Sequence, residues 1–430
     1  MLSAADNALL TRTGAGTAMG EFFRRFWQPV ALSRELPDAD GAPVRVRVMG
    51  EAFVAFRDTT GRVGLVDPRC AHRGADLFFG RNEDCGLRCA YHGWKYDVSG
   101  RCVDLPTLRP DSGYRERIAL RACPTREFGE IVWAYLGPGD PAGDVPALEF
   151  GLLPPAHRFV TKKLQQSNWA QSLEGGIDTA HFSFLHMPAP SVASNANPDA
   201  PADERRLRWI REDPMPEFSV VDHEVGFVVG ASRRADGGEL YWRIAQFMLP
   251  AHATTPSTLP GETYFGYTWV PIDDVTCWIY TYAWNPDRPL GDDERQKLQA
   301  GHGVIGSVDE RYVPLRNRDN DYRIDREEQR RRTFTGIRGV AEQDAMIQES
   351  QGSIADRTRE HLTPTDAAIV RFRRMVLAGA RALADGTAPM AAKDAAAYTR
   401  RSGSWMAKAG VPFDEVMRQR FGDGAGRVRG

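Results

Sequence analysis

From Val44 to Val66 the character of the chain changes, and over residues 44–48 it alternates strictly. Val44, Val46 and Val48 are separated by Arg45 and Arg47, Phe53-Val-Ala-Phe56 follows, and Thr60-Gly61 marks a turn. A period of two belongs to strands with one buried face, so this stretch predicts an all-β module. The pattern runs on to Glu130-Ile-Val-Trp-Ala-Tyr-Leu136. Before it, residues 15–28 predict a short amphipathic helix stopped by Pro29. After it, Pro138, Pro141, Pro146, Pro154 and Pro155 mark a connection to a second region. There a helix is predicted over 168–186, then a loop from Met187 to Ala202 rich in Pro, Ala, Ser and Asn. Four strand-like stretches, 218–231, 240–249, 262–270 and 276–284, predict an antiparallel sheet. Residues 317–339, dense in charge and turn formers, predict a long loop, and helices are predicted over 341–349, 364–384 and 404–420.

Composition narrows the function classes. Of 430 residues, 26% are charged and 42% hydrophobic, as in an ordinary globular protein with room for two or three cores. A net charge of -2 offers no footprint for nucleic acid or an anionic membrane. The opening residues lack the pattern of a signal peptide, and no apolar run reaches the ~18 residues of a membrane helix. A cytoplasmic location is therefore expected. Six scattered cysteines do not suggest a disulfide framework.

Two clusters carry the candidate chemistry. The first is Cys70-Ala-His72, then sixteen residues, then Cys89-Ala-Tyr-His92. Each half supplies one thiolate and one imidazole, so two facing loops can give one iron both cysteines and the other both histidines, the ligand set of a Rieske 2Fe–2S centre. Structural zinc sites more often pair their cysteines and histidines separately, so the spacing favours the cluster over zinc. Gly74 and Gly93 follow the histidines and would let the backbone pass close, and Trp94 is placed to cover the site. Cys85, Cys102, Cys123 and Cys277 read as buried thiols.

The second is Asp178, His181 and His186, within thirteen residues that begin at Glu174. Two imidazoles and an acid suit Fe(II) with positions left open. On one helix His186 would stand roughly 140° around from His181, so both reach one metal only if the helix loosens or ends there. Without a metal, Asp178 would cap or pair locally and the histidines would sit in a core. Arg243 lies in a stretch apolar on both faces and needs an anionic partner, either a substrate carboxylate or a protein acid. Arg211 is a second candidate for binding an anion.

These motifs, with Asn168-Trp-x-Gln-Ser-Leu-Glu-Gly-Gly, Phe334-Thr-Gly-Ile-Arg-Gly and Gln348-Glu-Ser-x-Gly-x-Ile-x-Asp-Arg, resemble the Rieske non-haem iron oxygenases over nearly the whole chain, most closely the phthalate-dioxygenase-like branch. The resemblance implies an α+β protein: an N-terminal all-β Rieske domain and a C-terminal catalytic domain of antiparallel sheet flanked by helices. Its divisions would be 1–27, an N-terminal helix packing on the catalytic domain, 28–140, the Rieske domain, 141–385, the catalytic domain, and 386–430, a helical extension. It implies that Cys70 and Cys89 bind one cluster iron, His72 and His92 the other, and His181, His186 and Asp344 a mononuclear Fe(II), one of each centre per subunit. Only the resemblance selects Asp344 from Glu342, Glu349 and Asp356. Asp178 would be catalytic without being a ligand, bridging His181 to His92 of a neighbouring subunit in a homotrimer or a hexamer of two trimers.

The activity implied is hydroxylation of an aromatic, carboxylated substrate with O2, by phthalate-like dioxygenation, with monohydroxylation or O- or N-demethylation left open. No Gly-rich nucleotide fingerprint follows a strand, so NADH and flavin are expected only on a separate flavin/iron–sulfur reductase. Neither nucleic acid nor a membrane is an expected partner. Two further classes stay open here: an electron-transfer-only Rieske protein, and a zinc-stabilised ligand-binding protein.

Overall fold

The computed structural model describes residues 1–109, 113–189, 202–256, 261–422 and 426–427. It opens with helices α1 (Ala4–Thr11) and α2 (Ala18–Arg24). Ser3 and Thr17 start them by accepting from the Asp6 and Gly20 amides. Eleven strands then build the N-terminal module: β1 (Trp27–Leu32), β2 (Val44–Val48), β3 (Glu51–Arg57), β4 (Val63–Val66), β5 (Arg81–Glu83), β6 (Gly86–Arg88), β7 (Lys95–Tyr96), β8 (Cys102–Asp104), β9 (Ala122–Cys123), β10 (Thr125–Phe128) and β11 (Ile131–Tyr135). They pair as β1-β11-β10, β2-β3-β4-β9 and β5-β6-β7-β8. On β2 the alternation works as predicted, with Val46 and Val48 buried and Arg45 and Arg47 facing out. The helix predicted over 15–28 is shorter than expected, because Trp27 onwards belongs to β1. Pro29 is tolerated there since β1 is an edge strand whose register shifts between Pro29 and Ala31.

The second module runs α3 (Glu149–Leu152), β12 (Arg158–Gln165), α4 (Trp169–Ile177), α5 (Ala202–Glu212), β13 (Glu217–His223), β14 (Gly226–Arg234), β15 (Glu239–Met248), β16 (His252–Thr254), β17 (Tyr264–Pro271), β18 (Cys277–Trp284), α6 (Asp292–Gln299), α7 (Arg326–Arg331), α8 (Val340–Ser350), α9 (Ala367–Ala384), β19 (Gly403–Lys408) and α10 (Phe413–Phe421). Its antiparallel sheet has the order β12-β18-β17-β16-β15-β14-β13, with β19 added on β15. The stretch 218–231 is a hairpin of two strands, not one. The predicted loop 317–339 contains α7, started by Asp325, whose carboxylate accepts from the Glu327 and Glu328 amides. Of the predicted loop after Met187, residues 190–201 lie outside the described residues.

The helix predicted over 404–420 is a correction. Residues Gly403–Lys408 are strand, paired in register with β15 as Trp242↔Trp405, and only Phe413–Phe421 is helical. Residues beyond 386 thus complete the sheet instead of forming a purely helical extension. Phe413 stacks on Trp242 at 5.1 Å from one side of β15, and Phe372 of α9 meets Phe247 at 5.2 Å from the other. Covered on both faces, β15 loses its alternation. At the helical layer, fully buried Trp169 of α4 meets Phe23 of α2 at 4.7 Å and Phe372 at 5.7 Å, edge-on in both cases. Burying each such ring is worth about 1.5–3 kcal/mol, and this contact anchors α4, which leads into the candidate site. Among the described residues no helix is long and apolar enough to cross a membrane.

Candidate metal centres

The two cysteine–histidine loops are built alike. In the first, Cys70 N donates to Ala75 O at 2.9 Å and Gly74 N to Cys70 O at 2.9 Å. In the second, Cys89 N donates to Trp94 O at 2.8 Å and Gly93 N to Cys89 O at 3.0 Å. Both turns close on a glycine in the left-handed region, φ 73° at Gly74 and 77° at Gly93, where a side chain would be strained. The turns bring the His72 and His92 rings edge-on at 4.5 Å, and Trp94 stacks on His72 at 4.5 Å.

Nδ1 of both histidines is buried without a hydrogen bond. Orphaned buried nitrogens need an explanation, and ligation supplies one. Burial pushes the Cys89 thiol up, and the neighbouring Cys70 adds to the effect. A buried thiol resists ionising unless a cation offsets the charge. Two sulfurs and two nitrogens in these loops therefore fit a 2Fe–2S cluster with mixed ligands. Tyr96 OH lies 3.2 Å from Cys70 Sγ and accepts from the Ala71 amide at 3.2 Å. Cys102, Cys123 and Cys277 are buried thiols as expected, but Cys85 is half-buried.

The second centre forms because α4 stops early. Helix α4 was expected to run to 186, but it ends at Ile177, with the Asp178 amide making the last bond to Glu174 O at 3.0 Å. A tight turn at His181–Ser183 follows and frees both histidines from helical spacing. His181 Nε2 and His186 Nε2 lie 3.0 Å apart, and Asp344 Oδ1 on α8 is 3.2 Å from His186 Nε2 and 3.7 Å from His181 Nε2. The three donor atoms all lie within 4.8 Å of one another. Each ring's other nitrogen faces an acceptor, His181 Nδ1 toward Asp178 Oδ2 at 3.3 Å and His186 Nδ1 toward Gln343 Oε1 at 2.6 Å. Such outer contacts orient Nε2 toward a metal.

Burial would raise the Asp344 carboxyl, but the His186 and His181 contacts outweigh it and hold it below the ordinary range. The same contest at Asp178 is decided by His181, which lowers it. Asp178 in turn outweighs burial to raise His181. Two imidazoles and one carboxylate with the rest of the sphere open fit Fe(II).

The other acids considered on and after α8 are engaged elsewhere. Glu342 accepts from the Ser307 amide at 2.9 Å, Glu349 from the Gln166 amide at 2.9 Å and Tyr322 OH at 2.5 Å, and Asp356 from the Thr358 amide at 3.0 Å. The glycine pair in α4 serves close packing. A Cβ on Gly175 would lie 2.3 Å from Gln348 Nε2 on α8, and one on Gly176 2.4 Å from the Trp269 ring. Asn168 caps α4 by accepting from the Ala170 amide at 3.0 Å.

Arg243 is 3% exposed, with Nε donating to Thr179 Oγ1 at 2.8 Å and the guanidinium 4.1 Å from the centre of the Phe182 ring. Phe182 contacts both histidine rings, at 4.9 and 4.6 Å. Among the described residues no carboxylate pairs with Arg243, and its Nη2 is buried without a partner. Of the two partners expected for it, the protein acid is thus absent there. Arg211 is half-buried in the last turn of α5, and nothing in the structure brings it to the triad. Gln343, Thr179, Phe182 and Tyr96 escaped the sequence reading. Gln343 alone had a signal, a polar residue directly before the selected Asp344.

On the Asp178 side lies a cavity of about 580 Å³, lined by Glu174, Asp178, His181, Asp344, Ile347 and Arg373 among others.

Residues 26–124 match the Rieske [2Fe-2S] domain, and residues 134–410 match the family described as LigXa C-terminal domain like. The first match sets aside a zinc module. The chain is 36% identical to the 3-chlorobenzoate-3,4-dioxygenase oxygenase subunit of Comamonas testosteroni, covering 97% of this chain and 98% of that protein. It is 40% identical to the phthalate 4,5-dioxygenase oxygenase subunit of Pseudomonas putida, covering 88% and 86%. Among solved structures, dicamba monooxygenase bound to dicamba shares the fold at a TM-score of 0.57 and 18% identity, covering 85% of this chain and 99% of that one. With both domains matched in chain order and a 36% identical oxygenase subunit aligned over 97% of this chain, the protein belongs to the Rieske non-haem iron oxygenases, as an oxygenase alpha subunit of the phthalate-dioxygenase-like branch.

Proposed function

We propose that this subunit hydroxylates an aromatic carboxylate, phthalate-like, by dioxygenation with O2, using electrons from a separate reductase that carries the flavin and binds NADH. In this reading Cys70, Cys89, His72 and His92 hold one 2Fe–2S cluster per subunit, and His181, His186 and Asp344 hold one Fe(II). When bound, the cluster supplies single electrons and the iron an open coordination sphere for dioxygen. The protein's own part is positional. Gln343 accepts the His186 Nδ1 proton and Asp178 that of His181, so both rings keep Nε2 free for the metal. Arg243 fixes the substrate carboxylate beside Phe182, which sets the ring's distance from the triad.

The observation that carries the reading is the buried Arg243 next to the triad, which pairs with no carboxylate among the described residues. An isolated buried cation is strongly unfavourable, and a substrate carboxylate accepting from Nη2 would neutralise it. The names of the similar subunits, which act on phthalate and 3-chlorobenzoate, support the same class.

Asp178 is then the bridge by which an electron reaches His181 from His92 of a neighbouring subunit, in a homotrimer or a pair of trimers. Two apolar rims support that docking: Phe79, Tyr91 and Leu108 are exposed near the cluster loops, and Phe184, Phe334 and Ile347 near the triad.

The test is a single turnover of reduced, iron-loaded protein with O2 and either phthalate, 3-chlorobenzoate or benzyl alcohol, with mass analysis of the products. Dioxygenation of the two acids but not the alcohol is expected. Arg243→Met should raise the phthalate KM roughly 10- to 100-fold, the loss of one charged hydrogen bond. Equal turnover of the alcohol removes the carboxylate reading. A product with one added oxygen replaces dioxygenation by monooxygenation, and formaldehyde released from a methoxybenzoate added to the same panel replaces it by demethylation.

A further inference from the structure

Next to Arg243 the chain buries a second arginine. Arg233 on β14 is 0% exposed, and among the described residues it pairs with no carboxylate. Its Nε donates to Asp213 O at 3.2 Å, just past α5, and its Nη2 to Thr179 O at 2.9 Å, while Nη1 has no hydrogen bond. Packing alone does not call for a guanidinium here, since an apolar side chain would fill the same space without the desolvation. What the guanidinium adds is a rigid fork that can hold two carbonyls from separate segments.

The held residue matters. Thr179 is 2% exposed and is gripped twice, at its carbonyl by Arg233 and at its hydroxyl by Arg243. It directly follows Asp178 and lies two residues before His181. Helix α4 has already ended, so no helical ladder fixes this turn. Locally it is held by Asp178 itself, through the Ala180 amide at 2.7 Å and His181 Nδ1 at 3.3 Å.

We infer that Arg233 is a positioning residue, which clamps the Thr179 carbonyl and so fixes the turn presenting Asp178 and His181. The inference rests on the reading of His181 as an iron ligand. Arg233 touches neither substrate nor metal in this account, so its loss leaves substrate affinity and iron content in place and disturbs the geometry at the iron.

The test uses full-length, iron-loaded and chemically reduced protein, with nitric oxide as the probe of the ferrous site. Electron paramagnetic resonance is recorded for wild type, Arg233→Met and Arg233→Lys, and kcat and KM are measured with phthalate, or with whichever acid the wild type turns over. Arg233→Met is expected to split or broaden the nitrosyl signal and to lower kcat roughly 10- to 100-fold, with KM nearly unchanged. Arg233→Lys, which can reach one carbonyl, restores a narrower signal and part of kcat. If Arg233→Met does not fold, Arg233→Lys carries both readouts, with intermediate shifts expected. A wild-type signal that the variants leave unaltered, with kcat intact and only the melting temperature lowered, overturns the positioning role alone. So does a raised KM with unchanged kcat, which would make Arg233 a binding residue. A wild type without any nitrosyl signal overturns the iron reading, and this inference with it.

Discussion

Asp178 Oδ2 faces His181 Nδ1 at 3.3 Å, while Oδ1 of the same carboxylate receives the Ala180 amide at 2.7 Å. One side chain at the end of α4 therefore shapes the following turn and orients the His181 imidazole. It also lines the open cavity beside the triad. Replacing it by asparagine keeps the shape but removes the charge and half the accepting capacity. We expect Asp178→Asn to retain three irons per chain, one at the triad and two in the cluster, and to lose turnover about 100-fold. An iron count and a reductase-coupled product assay check this, and full activity would exclude the bridging role.

The Tyr96 hydroxyl, 3.2 Å from Cys70 Sγ, is placed to donate to a cluster thiolate. Such a bond stabilises the more negative, reduced cluster. Its removal is worth about 1 kcal/mol, or roughly 40 mV for one electron. Tyr96→Phe should lower the midpoint potential by that amount, read by voltammetry of the holoprotein. An unchanged potential would mean that the hydroxyl serves only the Ala71 amide.

Glu174 is buried on α4 between two arginines, accepting from Arg357 Nη2 at 2.9 Å and Arg373 Nε at 2.7 Å. Burial alone would raise its carboxyl, but the two arginines hold it below the ordinary 4.5. A lowered folded pKa stabilises the fold above the unfolded value, and that contribution fades as pH drops through the folded one. Glu174→Gln should cost about 3–5 kcal/mol at neutral pH, because it leaves buried Arg357 with no carboxylate among the described residues, while Arg373 keeps Glu360. The gap from wild type should narrow as pH falls below 4.5. Denaturant titrations across that range decide it, and a constant offset would contradict the linkage.

Gly176 is a glycine because α4 passes against Trp269, whose indole N–H is pinned to Ser172 Oγ at 2.8 Å. In an exposed helix Gly→Ala gains up to about 1 kcal/mol. Here Gly176→Ala drives a methyl group into a fixed ring, and we expect a net loss of about 1–3 kcal/mol together with weaker iron retention, since Asp178 lies two residues on. A stabilised variant in thermal melts would show that α4 shifts freely.

Much of this was legible locally. Cys70, His72, Cys89 and His92 sit in short loops whose spacing displays the donors, and β2 shows its buried face in the Val/Arg alternation. What resisted reading depends on distant contacts. Asp344 stood among similar acids, and only the fold directs Glu342 to Ser307 and Glu349 to Gln166 and Tyr322. The strand β19 was hidden because its partner, β15, lies far away in sequence. The stop of α4 at Asp178 has no glycine or proline just past it, and only a metal shared by His181 and His186 required the helix to loosen or end there. Arg233 looked like one more arginine until its burial was visible.

The three donors come from the exit of α4 and from α8, and none from the strands that lie between them in the chain. Gln343 and Asp344, consecutive on α8, serve the two ends of one imidazole. Tolerance to sequence change is therefore lopsided. Point substitutions on strands that touch neither the exit of α4 nor α8 leave every donor where it was. A single inserted residue in α8 before position 343 would turn the helix by about 100° and withdraw the carboxylate and the imidazole's acceptor in one event. Side-chain exchange away from these two helices is survivable at the triad, whereas a change in the length of α8 is not.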